Sequence, residues 1–205
     1  MIYDISMTLN KDIQVYKNKE EKKPTFINVS NHDQDLAYET DLHFNLHTGT
    51  HVDYPLHMIP GGKTSDAEIL DKLIGPCKVL DFTECKESIG KDDLMKHDIK
   101  ENDFLLFKTK NSFSDEFLSD FVYLDREGAK YLQDLKIRGV GTDGLGIERN
   151  QVDHLTHKIL LGDDRVIIEG LRLKDIQAKS YQMICLPLKI SGVEATPARV
   201  ILKDL

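Results

Sequence analysis

Residues 42–57 constrain the fold most, because their residue types alternate along the chain. The even-numbered positions are mostly apolar, whereas the odd-numbered positions hold most of the polar groups, among them His47, His51 and Asp53. Successive side chains of a β-strand point to opposite faces, so the pattern predicts one strand with an apolar and a polar face. A glycine and a proline within the segment disfavour a helix. Gly49 is expected to mark a bulge or a close approach of two backbones.

The polar face carries the groups that bind divalent metals. His47, His51, Asp53 and His57 fall within eleven positions and share one parity. Zinc and similar ions are bound by neutral imidazole nitrogens and carboxylate oxygens. Two histidines four residues apart are common by chance, but an aspartate and a third histidine on the same face are not. We interpret the cluster as a metal site.

The composition is that of an ordinary globular protein. The 205 residues are 40% hydrophobic and 30% charged, which suits one good-sized domain spanning residues 1–205. The net charge of -8 opposes nucleic-acid binding, which needs a basic surface. No apolar run approaches the roughly 18 residues of a membrane span, so no membrane association is expected.

The cysteines and the first residues bear on the compartment. Cys77, Cys85 and Cys185 are odd in number and widely spaced, which suits neither a disulfide framework nor a Cys-x-x-Cys zinc site. The first residues carry an acid and no basic region, so they do not have the pattern of a signal peptide. We therefore expect a cytoplasmic protein.

Local patterns predict strands mixed with a few helices. The helix that begins at Asp125 has the clearest signals, because an aspartate N-cap precedes Ala129 and Leu132 at helical spacing. The mixture indicates an α/β or α+β domain. Strands are predicted over 3–6, 41–53, 78–81, 104–108, 139–142, 165–169, 182–188 and 199–202, and helices over 90–97, 125–135 and 152–161.

A second candidate cluster lies late in the chain. The apolar run that begins at Val166 leads directly into Glu169, and an ionised carboxylate there is costly unless it is paired, metal-bound or exposed to solvent. His154 and His157 lie one turn apart on a predicted helix, and helix geometry does not choose between them as a partner.

The first cluster resembles a known family signature. The sequence His47-Thr-Gly-Thr-His51-Val-Asp53-Tyr-Pro-Leu-His57 resembles the His-x-Gly-Thr-His-x-Asp-x-Pro-x-His motif of the cyclase family, whose members include bacterial kynurenine formamidase and isatin hydrolase. The pair His157 and Glu169, twelve residues apart, resembles the later His…Glu pair of that family. Shorter segments near both ends, Asp4-Ile-Ser6 and Pro197-Ala-Arg199, fit as well.

The resemblance implies a swivelling β/β/α architecture and a site for two metal ions, zinc or manganese. It chooses His157 over His154, and it implies Asp53 and Glu169 as bridging ligands. The implied ligand set is His47, His51, Asp53, His157 and Glu169. Five ligands exceed the three protein ligands that one catalytic zinc usually takes, which also suits two metals.

His57 remains outside this ligand set. The resemblance implies an acid/base role for it, and an imidazole is suited to give a proton to a leaving nitrogen. A third ligand on the same metal is the alternative role. The expected activity is metal-dependent hydrolysis of a small formamide or lactam, in a homodimer or homotetramer. A non-catalytic metal-binding or ligand-binding relative is the other hypothesis, which a spare imidazole disfavours.

The chain departs from kynurenine formamidases at one place. A Trp-Pro-Gly-Asp-type segment usual in them corresponds here to residues 15–19, and the chain has no tryptophan. The neighbouring charge run, residues 17–23, is expected to be a solvated loop, with a flap over the site as the alternative. No Gly-x-Ser-x-Gly elbow is present, which argues against a serine hydrolase.

Overall fold

A computed structural model describes residues 1–67 and 69–205. Within these residues the strands are β1 (Ile2–Asp4), β2 (Thr25–Ser30), β3 (Glu39–His43), β4 (His51–Asp53), β5 (Ile74–Asp81), β6 (Ser88–Ile89), β7 (Phe104–Lys108), β8 (Tyr123–Leu124), β9 (Gly139–Thr142), β10 (Val166–Glu169), β11 (Ser180–Pro187) and β12 (Ala195–Asp204). The α-helices are α1 (Leu70–Leu73), α2 (Lys91–Leu94), α3 (Arg126–Asp134) and α4 (Leu155–Gly162). None of the described helices is long and apolar enough to cross a bilayer.

The main sheet closes on itself. Its strands follow the order β1-β12-β11-β5-β7-β9-β10-β4, and β12 also pairs with β4. Strands β5, β7, β9 and β10 run parallel to one another, whereas the remaining pairings are antiparallel. This arrangement confirms the expected α/β fold with a mixed-sheet core.

Strands β7, β9 and β10 of the closed sheet are buried on both faces. On β7, Phe104 and Leu106 belong to one apolar cluster, whereas Leu105 and Phe107 belong to another. Helices α2, α3 and α4 contribute side chains to the second cluster. A strand covered on both faces reads as a continuous apolar run, which explains why β7 was predicted with its observed bounds.

Helix α3 forms as its sequence signals predict. The side chain of Asp125 accepts a hydrogen bond of 2.8 Å from the backbone N–H of Gly128, as an N-cap does. Ala129 and Leu132 are fully buried, and β9 begins soon after the helix ends.

The single strand predicted over residues 41–53 is wrong. Strands β3 and β4 are separate, and a turn lies between them. Asn45 builds this turn, because its carbonyl accepts the N–H of Thr48 at 2.9 Å and its side chain accepts the N–H of His47 at 3.0 Å. Gly49 then adopts φ +75°, a left-handed conformation that glycine reaches readily and that interrupts the extended backbone before β4.

Gly49 also confirms the expected close approach of two backbones, although no bulge forms. A Cβ placed on Gly170 would lie 2.6 Å from the carbonyl oxygen of Gly49. Gly170 itself adopts φ +70°. Both glycines are therefore needed for the turn before β4 to pack against the residue that follows β10.

The hairpin of β2 and β3 was not predicted. The two strands pair antiparallel, with Phe26 opposite Leu42, and nearly all their side chains are exposed. Period-2 patterning appears where one face of a strand is buried, and this hairpin buries neither face within the described chain.

Candidate metal centre

Strand β4 places two of the predicted ligands on one face. His51 and Asp53 alternate with Val52, which packs in the apolar core, and all three residues are buried. Strand β10 pairs antiparallel with β4 and sets Glu169 directly opposite His51. A cross-strand pair brings side chains on the same face close together, so the sheet register itself joins the two sequence clusters.

The carboxylate of Asp53 lies at the centre of the cluster. Its Oδ1 is 3.2 Å from Nδ1 of His47 and 3.4 Å from Nε2 of His51. Its Oδ2 is 3.7 Å from Nε2 of His157, which α4 supplies. One carboxylate therefore faces two imidazoles from its own segment and a third from a distant helix.

Glu169 completes the cluster from the other side. Its Oε2 lies 3.5 Å from Nε2 of His51, and its Oε1 lies 3.3 Å from Nε2 of His157. The Oε1 atom also accepts the backbone N–H of Ile147 at 2.6 Å. The five residues predicted as ligands are thus all brought together.

The residues fit a divalent cation. Both carboxylate oxygens of Asp53 are buried and have no hydrogen-bond partner among the described residues, and the two ring nitrogens of His157 are in the same condition. The imidazole nitrogens are thus close to the oxygens of Asp53, but these contacts do not have the angles of hydrogen bonds. Ligand atoms about 2.1 Å from a tetrahedral zinc stand about 3.4 Å apart, which is near the separations that this cluster shows.

The negative charges of the buried carboxylates also favour a bound cation. Burial alone would lower the pKa of His51, but its contacts with Asp53 and Glu169 outweigh burial and raise the pKa to about 10. Burial likewise opposes contacts with Glu148 and Glu169 at His157, and its pKa also rises to about 10. These shifts show how strongly the carboxylates favour positive charge.

The pKa values of the two carboxyl groups are lowered, whereas those of the two imidazoles are raised. Burial would raise the pKa of Asp53, but contacts with His47 and His51 hold it well below its usual value. Burial and the charge of Asp53 would raise the pKa of Glu169, yet its contacts with His157 and His51 lower that pKa to about 2. Both groups are therefore ionised and available as ligands at neutral pH.

Two imidazoles are oriented by further contacts. Nδ1 of His51 lies 2.9 Å from the carbonyl oxygen of Gly49, and Nδ1 of His157 lies 3.0 Å from Oε1 of Glu148. Each contact directs the Nε2 atom of the same ring toward the carboxylates. Buried Glu148 was missed by the sequence analysis, because it belongs to neither of the two sequence clusters and to no periodic pattern.

The structure distinguishes His154 from His157. His154 also contacts Glu148, but its side chain is 52% exposed and it precedes α4 with a left-handed φ of 52°. His157 is buried within α4 and faces Asp53 and Glu169. Helix geometry left the choice between His154 and His157 open, and the tertiary packing selects His157.

His57 lies beside the cluster on a separate element. It closes a 3-10 turn that begins at Pro55, and its ring centre is 4.2 Å from that of His47 and 5.5 Å from that of His157. Burial lowers the pKa of His57, which favours the neutral ring. His47, Asp53 and His57 also offer atoms within 4.8 Å of one another, so geometry admits both a ligand and a proton-transfer role.

A cavity of about 170 Å³ opens onto the cluster. His57, His157 and Glu169 form one side, and Tyr16 and Lys22 line it as well. The charge run over residues 17–23 therefore does not behave only as a solvated loop. It forms two 3-10 turns, and Lys22 faces the cavity.

The sequence matches a described family. The Cyclase family model ("Putative cyclase") matches residues 3–149, which is more than half of the chain. The chain belongs to the Cyclase family.

Individual relatives agree with this membership. A kynurenine formamidase from Salinibacter ruber is 32% identical over 206 residues, covering 99% of this chain and 97% of the relative. A predicted metal-dependent hydrolase from Bacillus stearothermophilus is 47% identical with a TM-score of 0.91, covering 98% of this chain and 97% of that structure. Isatin hydrolase A from Labrenzia aggregata shares the fold at 23% identity, with a TM-score of 0.85 and coverage of 98% and 93%.

Proposed function

We propose that this chain is a metal-dependent hydrolase that cleaves the C–N bond of a small amide, similar to kynurenine formamidase. The observation that carries the proposal is the buried carboxylate of Asp53, which lacks a hydrogen-bond partner in the described chain and faces three imidazoles. The kynurenine formamidase relative from Salinibacter ruber, which aligns over nearly the whole chain, supports the amide substrate.

The ligand set of this hydrolase is His47, His51, Asp53, His157 and Glu169. Their number and the central position of Asp53 favour two divalent cations, zinc or manganese, with Asp53 and Glu169 as bridges. Bound cations of this kind lower the pKa of water and polarise a carbonyl group. Glu148 stands behind His157, with Oε1 3.0 Å from Nδ1 of the ring and Oε2 accepting the backbone N–H of His157 at 3.3 Å, the place where partners of metal ligands are commonly found.

His57 is the proton-transfer group of the same site. Its ring borders the cavity, where a leaving nitrogen must be protonated when the C–N bond breaks. The lowered pKa that burial gives His57 makes the ring a ready proton acceptor in the first half of the reaction. The proton gained there is then available for the leaving amine. A non-catalytic metal-binding protein needs no such spare imidazole.

The active form is a homodimer or homotetramer built from one domain, residues 1–205, in the cytoplasm. The β2–β3 hairpin supports assembly, because Ile27 and Val29 are about half exposed and a lone two-stranded hairpin is marginally stable in water. The three cysteines are free thiols, which suits a reducing compartment. Light scattering on the purified protein tests the assembly, and a monomer would contradict it.

One experiment tests the proposed function directly. Protein prepared without metal, with zinc and with manganese is assayed on a panel of formamides, lactams and esters. We expect turnover of formamides or lactams that a strong chelator abolishes and either ion restores. A panel without any metal-dependent turnover would refute the proposal and favour the non-catalytic reading.

A further inference from the structure

The segment over residues 19–23 pairs most of its own charges. Lys19 Nζ lies 3.9 Å from Glu21, and Lys23 Nζ lies 2.9 Å from Glu20. Lys22 is different, because no carboxylate in the described ranges lies within 4.0 Å of its ammonium group. The one unpaired lysine of this stretch is also the one that lines the cavity.

Lys22 is held in this position by its backbone and by its stem. Its carbonyl oxygen accepts a hydrogen bond of 2.8 Å from the hydroxyl of Thr48, which follows the candidate ligand His47. Its ammonium group stands 5.7 Å from the ring centre of Tyr16. The backbone of Lys22 is therefore tied to the turn that supplies a candidate ligand.

The ring of Tyr16 is itself braced from behind. It packs edge-on against Phe117 and Phe121, at centroid separations of 5.5 Å and 6.3 Å. Aromatic packing of this kind restricts the positions that the Tyr16 ring can adopt. The ammonium group of Lys22 therefore stands near a braced ring, and both side chains line the cavity.

The ammonium group of Lys22 has no anion paired with it among the described residues. Burial lowers the pKa of Lys22, the charge of Lys19 adds to this effect, and the charges of Glu169 and Glu21 oppose it. Glu169 is already engaged with His51, His157 and the N–H of Ile147. A half-buried cation is stabilised most by a charge-assisted hydrogen bond. Because Lys22 lines the cavity, an anionic group of a ligand bound there can accept this hydrogen bond.

We propose that Lys22 determines substrate specificity by binding a carboxylate on the amine portion of the substrate. The preferred class is then an amide whose amine portion carries an acidic group close to the scissile bond, within reach of the lysine. This inference rests on the proposed amide hydrolysis. It adds that the cavity selects anionic substrates over neutral amides of the same shape.

The test uses two probe amides that differ only in the acidic group, N-formylanthranilate and formanilide. Both are assayed at fixed metal loading on the full-length protein and on Lys22→Met, Lys22→Arg and Lys17→Met. Lys17 is the matched control, because its ammonium also stands near the Tyr16 ring, at 5.3 Å, but it is exposed and does not line the cavity.

We expect the unmodified protein to favour the anionic probe by about 10- to 100-fold in kcat/KM, chiefly through KM, as hydrogen bonds to charged groups allow. Lys22→Met should bring this ratio close to one, Lys22→Arg should keep most of it, and Lys17→Met should not change it. A preference that survives in Lys22→Met, or that is absent from the unmodified protein, would overturn the proposal.

A binding measurement separates this inference from the proposed function. Calorimetric titration of each probe into metal-loaded protein reports affinity without turnover. If neither probe is hydrolysed but Lys22→Met still weakens binding of N-formylanthranilate alone, the amidase assignment fails and the role of Lys22 stands. Equal binding of the anionic probe to the unmodified and Lys22→Met proteins would refute the role of Lys22.

Discussion

Oδ1 of Asp53 lies 3.2 Å from Nδ1 of His47, although the two residues belong to different local structures. Asp53 is fixed in β4 by pairing with both β10 and β12, whereas His47 sits in the turn before that strand. The closed sheet thus holds the carboxylate, and the turn brings the imidazole to it. A buried carboxylate without a hydrogen-bond partner is costly, and a bound cation removes this cost.

Replacement of Asp53 tests the central ligand. Asp53→Ala should lose more metal than His47→Ala or His51→Ala, because a carboxylate that bridges the two proposed ions would hold both, whereas each histidine would hold one. Elemental analysis after remetallation and gel filtration measures the ion content per chain. Glu194→Gln is the control, since Glu194 contacts His47 at 3.4 Å from a partly exposed position and is not a proposed ligand. Equal losses in all four variants would contradict a bridging role.

The metal-free protein should lose stability as pH rises. The folded-state pKa values of His51 and His157 are raised to about 10, above the ordinary value of 6.5. Their ion pairs therefore contribute fully below about pH 6.5 and are lost as pH rises toward 10. Urea unfolding of chelator-treated protein across this window should show the decline, and His157→Gln should flatten it.

The same titration in metal-loaded protein is the complementary measurement. A bound cation replaces the protons on these imidazoles, so stability should vary much less over the same pH window. Metal at 100 times its Kd adds about 2.7 kcal/mol, which corresponds to a rise in Tm of roughly 5–11 °C for a chain of this size. Identical curves with and without metal would contradict metal binding at this cluster.

The contact between Gly170 and Gly49 offers a test of the turn that carries the ligands. Gly170→Ala should be destabilising for two reasons, a left-handed φ of +70° and a Cβ only 2.6 Å from a backbone oxygen. The left-handed conformation alone costs about 1–2 kcal/mol, and the clash adds to it and displaces the turn before β4.

Gly192→Ala is the matched control for this prediction. Gly192 has φ +76°, and a Cβ there would meet nothing within 4 Å, so only the conformational cost applies. Thermal unfolding should place Gly170→Ala clearly below Gly192→Ala, and metal content should fall in Gly170→Ala alone. Equal melting temperatures of Gly170→Ala and Gly192→Ala would show that the backbones at Gly49 and Gly170 can move apart without loss of stability.

The sequence predicted the elements whose signals are local. Helix α3 and strand β7 follow from an N-cap and from an uninterrupted apolar run. His51 and Asp53, two of the proposed ligands, were correctly placed on one face of a strand, but that strand is only β4. Residues 44–50 also alternate in type, yet the side chain of Asn45 and the φ of Gly49 turn the chain there.

Other parts of the site depend on contacts between distant segments. Glu148 gains its position only because α4 packs His157 against it, and no periodic pattern marks such a residue. Lys22 belongs to a charge run that resembles a solvated loop, and its hydrogen bond to Thr48 spans 26 positions. Closure of the sheet by β12 and β4 likewise joins segments from opposite halves of the chain.

His57 and His51 together separate a catalytic imidazole from a ligand. His57→Ala should keep its metal and lower kcat by about 10²–10⁴-fold, the usual contribution of a general acid–base group. His51→Ala should lose metal and activity together, because His51 is fully buried against both carboxylates. Metal analysis and steady-state kinetics on the two variants give the comparison, with His43→Ala as a control on an exposed imidazole of β3. If His57→Ala protein emerges without metal, His57 is a ligand, and the proton donor must be sought among the other residues that line the cavity.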